Sequence, residues 1–197
     1  HGLGPVVNVE SSIEPASFLS EPVVLELDAL SDVDKVFLTE ALLLWIYEYR
    51  KNEGKREEFK HALVIEEGHH VLSSWKERHE GQETILETAL RQIREFGESV
   101  IVVDQEPSKL SESIKANTNC KIVFNLGNGK DIRDVSSCLQ LTKEESDCIG
   151  LLPVGRAMVS TKRVGCVSPM YVALPLVRVA KGLVSDEDLR QRINQSS

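Results

Sequence analysis

The run Leu63-Val64-Ile65 stops abruptly at two adjacent carboxylates, Glu66 and Glu67, and continues as Gly68-His69-His70. An apolar run rising from a charged segment and ending in acid is how a buried parallel strand delivers polar groups to its C-terminal end. Open α/β sheets build their sites at that end. Adjacent carboxylates suit nucleotide hydrolysis, one holding the water shell of Mg²⁺ and its neighbour polarising the attacking water. A strand ending in a solvated turn accounts for the same stretch equally well, so the surrounding chain must discriminate.

That chain alternates strand and helix signals. Pro22–Leu27 is rich in β-branched residues and predicts a strand. Ser31, with Asp34 three residues on, opens a helix to about Arg50. Its middle, 41–47, is apolar on nearly every side and predicts burial on more than one face. Residues 51–60, with Gly54 and a charge run, read as an exposed loop. The segment 72–80 suggests a short helix around Trp75. Leu86, Ala89, Leu90, Ile93 and Phe96 form one helical stripe closed by Gly97.

Ser99–Val103 is a second buried strand, ending in Asp104-Gln105-Glu106-Pro107, and Pro107 starts a helix through Leu110 and Ile114. Lys121–Leu126 is a third strand, and Thr142-Lys143-Glu144-Glu145 is a capping box for a helix ending near Gly150. Arg156–Ser160 and Met170–Leu174 read as a strand pair, and Val184–Ile193 as a helix capped by Ser185. The expected fold is therefore α/β, a mostly parallel twisted sheet flanked by helices with a C-terminal β pair. Residues 1–20 are a lead-in with one short strand at 6–9, 21–180 the core, and 181–197 a helical tail.

Length and charge bound the partners. At 197 residues the chain suffices for one domain with a sizeable core. No apolar run reaches the ~18 residues of a membrane span, and no secretory signal is present. The net charge of −8 argues against a strongly basic nucleic-acid coat, while leaving room for a few basic residues lining a channel. Cys120, Cys138, Cys148 and Cys166 include no Cys-x-x-Cys pair, which argues against zinc and for reduced cysteines of a cytoplasmic protein. The chain begins at His1, and its only methionines are Met158 and Met170. A tag remnant, processing or a piece of a longer protein would each explain that start.

Gln105 ends the strand after the acidic one. In many nucleotidases a polar side chain there senses the γ-phosphate; a loop glutamine before a proline is the plainer reading. A metal site from Glu66, Glu67, His69 and His70 with His61 is a rival chemistry. Its spacing is not His-Glu-x-x-His, and adjacent histidines at a helix start do not share a face.

Leu63–Leu72 resembles the Walker B strand of the HerA/FtsK-type ring ATPases, whose acidic box runs hydrophobic–Asp/Glu–Glu–Ala/Gly–His. Leu90-Arg91-Gln92-Ile93-Arg94-Glu95-Phe96-Gly97, the next strand and Gln105-Glu106-Pro107-Ser108 are similar to their Arg-x-Phe-Gly…Thr-Gln-x-Pro-Ser stretch. Leu110–Asn117 and the strand after it fit, as do Leu151-Leu152-Pro153-Val154-Gly155-Arg156-Ala157 and the opening strand and helix of 22–50. The resemblance spans roughly residues 20–180. It implies a RecA-like core in a hexameric ring, ATP and Mg²⁺ between subunits, DNA through the centre and, for HerA relatives, a nuclease partner.

Carried onto this chain, the resemblance implies that Glu66 binds Mg²⁺ through water, Glu67 is the general base, and Gln105 is the sensor beside the nucleotide. Arg94 would reach a phosphate in the next subunit, with Arg91, Arg156 and Arg163 weaker candidates. For each arginine a surface ion pair is an alternative.

Three departures stand out. Glu66 replaces the commoner Asp, Asp104 stands where Thr or Ser is usual, and no Gly-x-x-x-x-Gly-Lys-Ser/Thr occurs. Gly127-Asn128-Gly129-Lys130-Asp131 is too short for a P-loop and carries Asp in place of the hydroxyl residue; it reads as a turn. Two expectations follow: the C-terminal half of a DNA translocase or helicase motor whose P-loop lies upstream, or a degenerate, non-catalytic module for oligomerisation or partner binding. Neither predicts ATP hydrolysis by these 197 residues alone.

Overall fold

A computed structural model of the protein describes residues 15–54, 56, 58–73, 85–162, 169–175 and 177. The apolar runs behave as their pattern requires. His61–Glu66 (β1) and Glu98–Val103 (β2) pair in parallel, with Leu63 opposite Val100, Ile65 opposite Val102 and Glu66 opposite Val103. With no offset in register, both strands end at the same edge.

One face of this pair is covered by two helices. Asp32–Glu53 (α1) is capped by Ser31, whose Oγ accepts from the Asp34 N–H and donates to the Asp34 carboxylate. Ile85–Ile93 (α2) continues as a 3₁₀ turn, Arg94–Phe96, and closes at Gly97 with φ 89°. Leu43 of α1 packs with Ile65, Val71, Leu72 and Leu110 in one cluster, while Ile46 and Ile93 pack with Leu19 in a second. Leu63 and Val100 touch both. Leu43, Ile46 and Arg50, the buried residues of α1, lie on one face, and Leu42, Trp45 and Tyr47 beside it are only partly buried, so the burial on more than one face that its apolar middle predicts is partial. Each fully buried leucine such as Leu43 contributes roughly 1.5–3 kcal/mol. The other face of the pair carries Val64, Ile101 and Val103, all about half exposed.

The N-terminal ends of β1 and β2 are tied by charge. Glu98, buried, accepts from the Arg50 guanidinium and faces His61 Nδ1 at 2.9 Å. Arg50 also binds Glu53 at 2.8 Å, and Lys60 reaches Glu53 at 3.1 Å. Burial alone would lower the Arg50 pKa, but its bonds to Glu53 and Glu98 outweigh that and raise it. The hydrogen bonds from Arg50 and Lys60 hold the Glu53 carboxyl below its ordinary range.

The rest of the described chain forms an antiparallel sheet, ordered Cys120–Val123 (β3), Arg156–Thr161 (β4), Met170–Ala173 (β5). The pair expected at 156–160 and 170–174 is present, and β3 joins it antiparallel to β4. Val123 and Met158 pack on Val135, Leu139, Ile149 and Leu152. Ile149 lies on the helix Lys143–Ile149, where Thr142 and Glu145 form the capping box read from the sequence.

Four local readings need correction. Residues 22–27 form no ladder, and Val24 is largely exposed: β-branched residues keep a chain extended but do not supply a partner strand. The helix expected from Pro107 is two pieces, a 3₁₀ turn at Pro107–Lys109 and Glu112–Asn117 (α3). Leu110 is extended between them, bridges to Ser73, and lets Ser111 cap α3. Residues 127–131 are not a turn but the start of a helix, Gly129–Leu139 (α4), capped by Asn128. Asp131 is buried there, accepting the Ser108 N–H at 3.0 Å. Finally, β3 ends at Val123, short of the expected Leu126. The readings at 6–9, around Trp75 and at 184–193 lie outside the described residues, as does Arg163.

Candidate functional site

The C-terminal edge of β1 and β2 gathers the polar residues. β1 ends at Glu66, whose carboxylate is exposed and has no partner among the described residues. The chain then turns sharply: Glu67 has φ 50° and ψ 48°, left-handed for a residue bearing a Cβ. Gly68–His70 makes a 3₁₀ turn in which the N–H of His70 donates to the Glu67 carbonyl at 3.1 Å. Gly68 is buried, and a Cβ there would run into Val102 of β2. No side chain larger than hydrogen lets the turn sit this close to the neighbouring strand.

From β2, Gln105 Nε2 donates to Glu67 Oε1 at 2.8 Å. The two groups that the sequence placed on separate strands are therefore in direct contact at one edge. Next to them, Asp104 points inward. Its Oδ2 accepts the His69 N–H at 2.7 Å and faces His69 Nδ1 at 3.0 Å, while Oδ1 accepts the Glu106 N–H at 2.7 Å. Asp104 thus closes the turn between two backbones. The sequence marks it only as a departure from the usual Thr or Ser; its role in the turn becomes visible once His69 is placed. His69 also lies 3.7 Å from Glu67 Oε2 and 3.8 Å from Glu106 Oε2.

The other candidates lie elsewhere. Arg94 is exposed and precedes β2, at the opposite end from Gln105. A six-residue strand spans roughly 20 Å, so Arg94 is out of reach of Glu67 in its own chain. Arg91 is exposed on α2. Arg156 opens β4 with its guanidinium 5.7 Å from the Tyr171 ring. His61 is bound to Glu98 at the far end of β1, which separates it from His69 and His70. Among the described residues no group of three or more His, Cys, Asp or Glu is arranged to hold a metal ion. Glu66 fits a different kind of contact, since Mg²⁺ keeps several waters and often takes only one or two carboxylates beside substrate phosphates.

No protein-family model matches the chain. A stretch of 98 residues is 35% identical to the DNA double-strand break repair helicase HerA of Pyrococcus furiosus, covering 49% of this chain and 18% of that protein. The match thus spans less than a fifth of the relative's length. Among solved structures, the genome packaging NTPase B204 from Sulfolobus turreted icosahedral virus 2, in complex with ATP-gammaS, superposes with a TM-score of 0.57 at 16% identity, over 84% of this chain and 73% of that one. VirB4 of Thermoanaerobacter pseudethanolicus superposes with a TM-score of 0.55 at 17% identity, over 78% of this chain and 40% of that one. The α/β fold is thus shared with these two ATPases, and the resemblance to the HerA/FtsK type stands. No helix among the described residues is long and apolar enough to cross a membrane.

Proposed function

We propose that the chain is the Walker B and sensor half of an ATP-driven motor of the HerA type, which moves DNA as a ring of like subunits. The observation that carries the reading is the 2.8 Å bond between Gln105 and Glu67, made across the ends of two parallel strands. It joins a candidate base to a candidate sensor where α/β sheets bind ligands.

In this reading Glu67 takes a proton from the attacking water. Gln105 orients the Glu67 carboxylate and exchanges that bond for one to the water or the γ-phosphate, so occupancy of the site is felt along β2. Glu66 holds a hydrated Mg²⁺, which when bound offsets charge on the phosphates. That counter-charge is needed because Glu66, Glu67, Asp104 and Glu106 gather at one edge. Arg94, at the opposite end of β2, serves the neighbouring subunit's site. The backbone cradle for the phosphates comes from sequence outside these 197 residues, in which no Gly-x-x-x-x-Gly-Lys-Ser/Thr occurs.

The test uses the full polypeptide. Glu67→Gln is expected to lower ATP turnover by about 10²-fold or more while ATP still binds. Unchanged turnover would remove Glu67 from the chemistry and the reading with it. The missing P-loop motif favours one other reading, a non-catalytic module of the same fold that oligomerises or docks a partner. A full polypeptide that neither binds ATP nor contains a P-loop would establish that reading instead.

A further inference from the structure

We propose that Asp104 and His69 act together as a positioning pair that fixes the carboxylate of Glu67. The inference rests on the hydrolytic reading above and adds two residues to it.

Asp104 is nearly enclosed, with 4% of its side chain exposed. Both of its oxygens are engaged. Oδ1 accepts the Glu106 N–H, and Oδ2 accepts the His69 N–H and faces His69 Nδ1 at 3.0 Å. An ionised carboxylate only accepts hydrogen bonds. His69 Nδ1 therefore carries a proton, which fixes the tautomer and the ring plane. This bond holds the imidazole against Glu67, with Nδ1 3.7 Å from Oε2. The other oxygen of Glu67, Oε1, accepts from Gln105 at 2.8 Å.

Gln105 thus bonds one oxygen of the general base, and the His69 ring lies beside the other at 3.7 Å, a packing contact outside hydrogen-bond range. Asp104 does not touch the base. Asp104 acts by holding His69 and, through the His69 N–H, by pinning the turn that carries Glu67. The groups facing His69 are Glu67 on its own turn, Asp104 and Glu106 on the segment after β2, and the His70 ring, whose centroid is 4.3 Å away. His69 Nε2 is the ring atom nearer Glu106, at 3.8 Å.

Two measurements test the pair. In the chain as it stands, ¹⁵N-edited NMR of the imidazoles, with His69 assigned by loss of its signals in His69→Asn, should show His69 as the Nδ1–H tautomer. A neutral Nε2–H tautomer would overturn the proposal. In the full polypeptide, His69→Leu and Asp104→Leu should each lower kcat for ATP by about tenfold or more with KM little changed. The double variant should fall no further than the worse single one, as expected for residues acting as a unit. His69→Asn, whose side-chain amide nitrogen can take the place of Nδ1, should recover part of the loss.

Folding defects are separated by requiring that each variant bind a fluorescent ATP analogue as the unaltered protein does. If either leucine variant fails that requirement, the imidazole tautomer decides alone: a neutral Nε2–H His69 in the unaltered chain overturns the proposal. If Glu67→Gln abolishes turnover while the His69 and Asp104 variants leave kcat unchanged, the positioning pair is wrong and the hydrolytic reading survives. If Glu67→Gln leaves turnover unchanged, both fail.

Discussion

The backbone of Glu67 can be tested without any catalytic assumption. At φ 50° and ψ 48° it lies in the left-handed region, where a residue with a Cβ is strained by roughly 1–2 kcal/mol and glycine is not. Glu67→Ala and Glu67→Gly both remove the carboxylate and its bond to Gln105, so those losses cancel between the two variants. What remains is backbone. At an ordinary position alanine is the more stable by about 0.4–1 kcal/mol, because glycine leaves the unfolded chain freer. Here the strain exceeds that term and the order inverts, with Glu67→Gly ahead by about 1 kcal/mol. In a chain of this size that is about 2–4 °C in Tm. Urea unfolding of both variants, followed by circular dichroism with equal slopes required, reads the same difference as a shift in midpoint. If Glu67→Ala equals or exceeds Glu67→Gly in stability, the turn is not left-handed, and the geometry that aims Glu67 at Gln105 is refuted.

Other expectations concern the scaffold. Arg50→Met takes the guanidinium from the buried Glu98 carboxylate and leaves it facing His61; it should cost about 3–5 kcal/mol in urea unfolding, and adding Glu98→Leu should restore most of it. Gly97→Ala meets both a φ of 89° and the carbonyl of Glu58, so it should cost roughly 1–3 kcal/mol. Gly127→Ala, with no atom within 4 Å of the new Cβ, should stay within about 0.5 kcal/mol by the same measurement. The Glu53 carboxyl is held below its ordinary range chiefly by its hydrogen bond from Arg50. Its contribution is therefore complete above the unfolded carboxylate's pKa and is lost as pH falls through the folded one. Glu53→Gln should flatten the acid limb of urea midpoints measured from about pH 6 to 3, and an unchanged limb would show that Glu53 gains nothing from Arg50.

The parts of the fold that were legible in the sequence are those whose signal is local. The run Leu63–Ile65 and the run Val100–Val103 are apolar stretches bounded by polar residues, and both became strands. Ser31, Thr142 and Gly97 cap or close helices through bonds made within a few residues. Long-range features were not legible. Pro22–Leu27 has strand composition, but a strand needs a partner that composition does not name. The helix at Gly129–Leu139 was hidden by its glycine-rich start, which reads as a turn until Asn128 is seen capping it and Asp131 is seen bonding Ser108. At the candidate site, Glu67 and Gln105 could be brought to one edge from the strand pattern alone. The link from Asp104 to His69 could not, because it crosses 35 residues and depends on Glu67 turning left-handed.

The seat of Gly68 against Val102 has a mechanical corollary. With no gap between the turn and β2, and with Asp104 gripping the turn's backbone, the tips of the two strands form one rigid block without a hinge inside it. A push delivered to Gln105 must therefore displace the whole block. The block extends past His70 as well, because Val71 and Leu72 are buried and the Leu72 carbonyl accepts the Ser111 N–H at 2.9 Å.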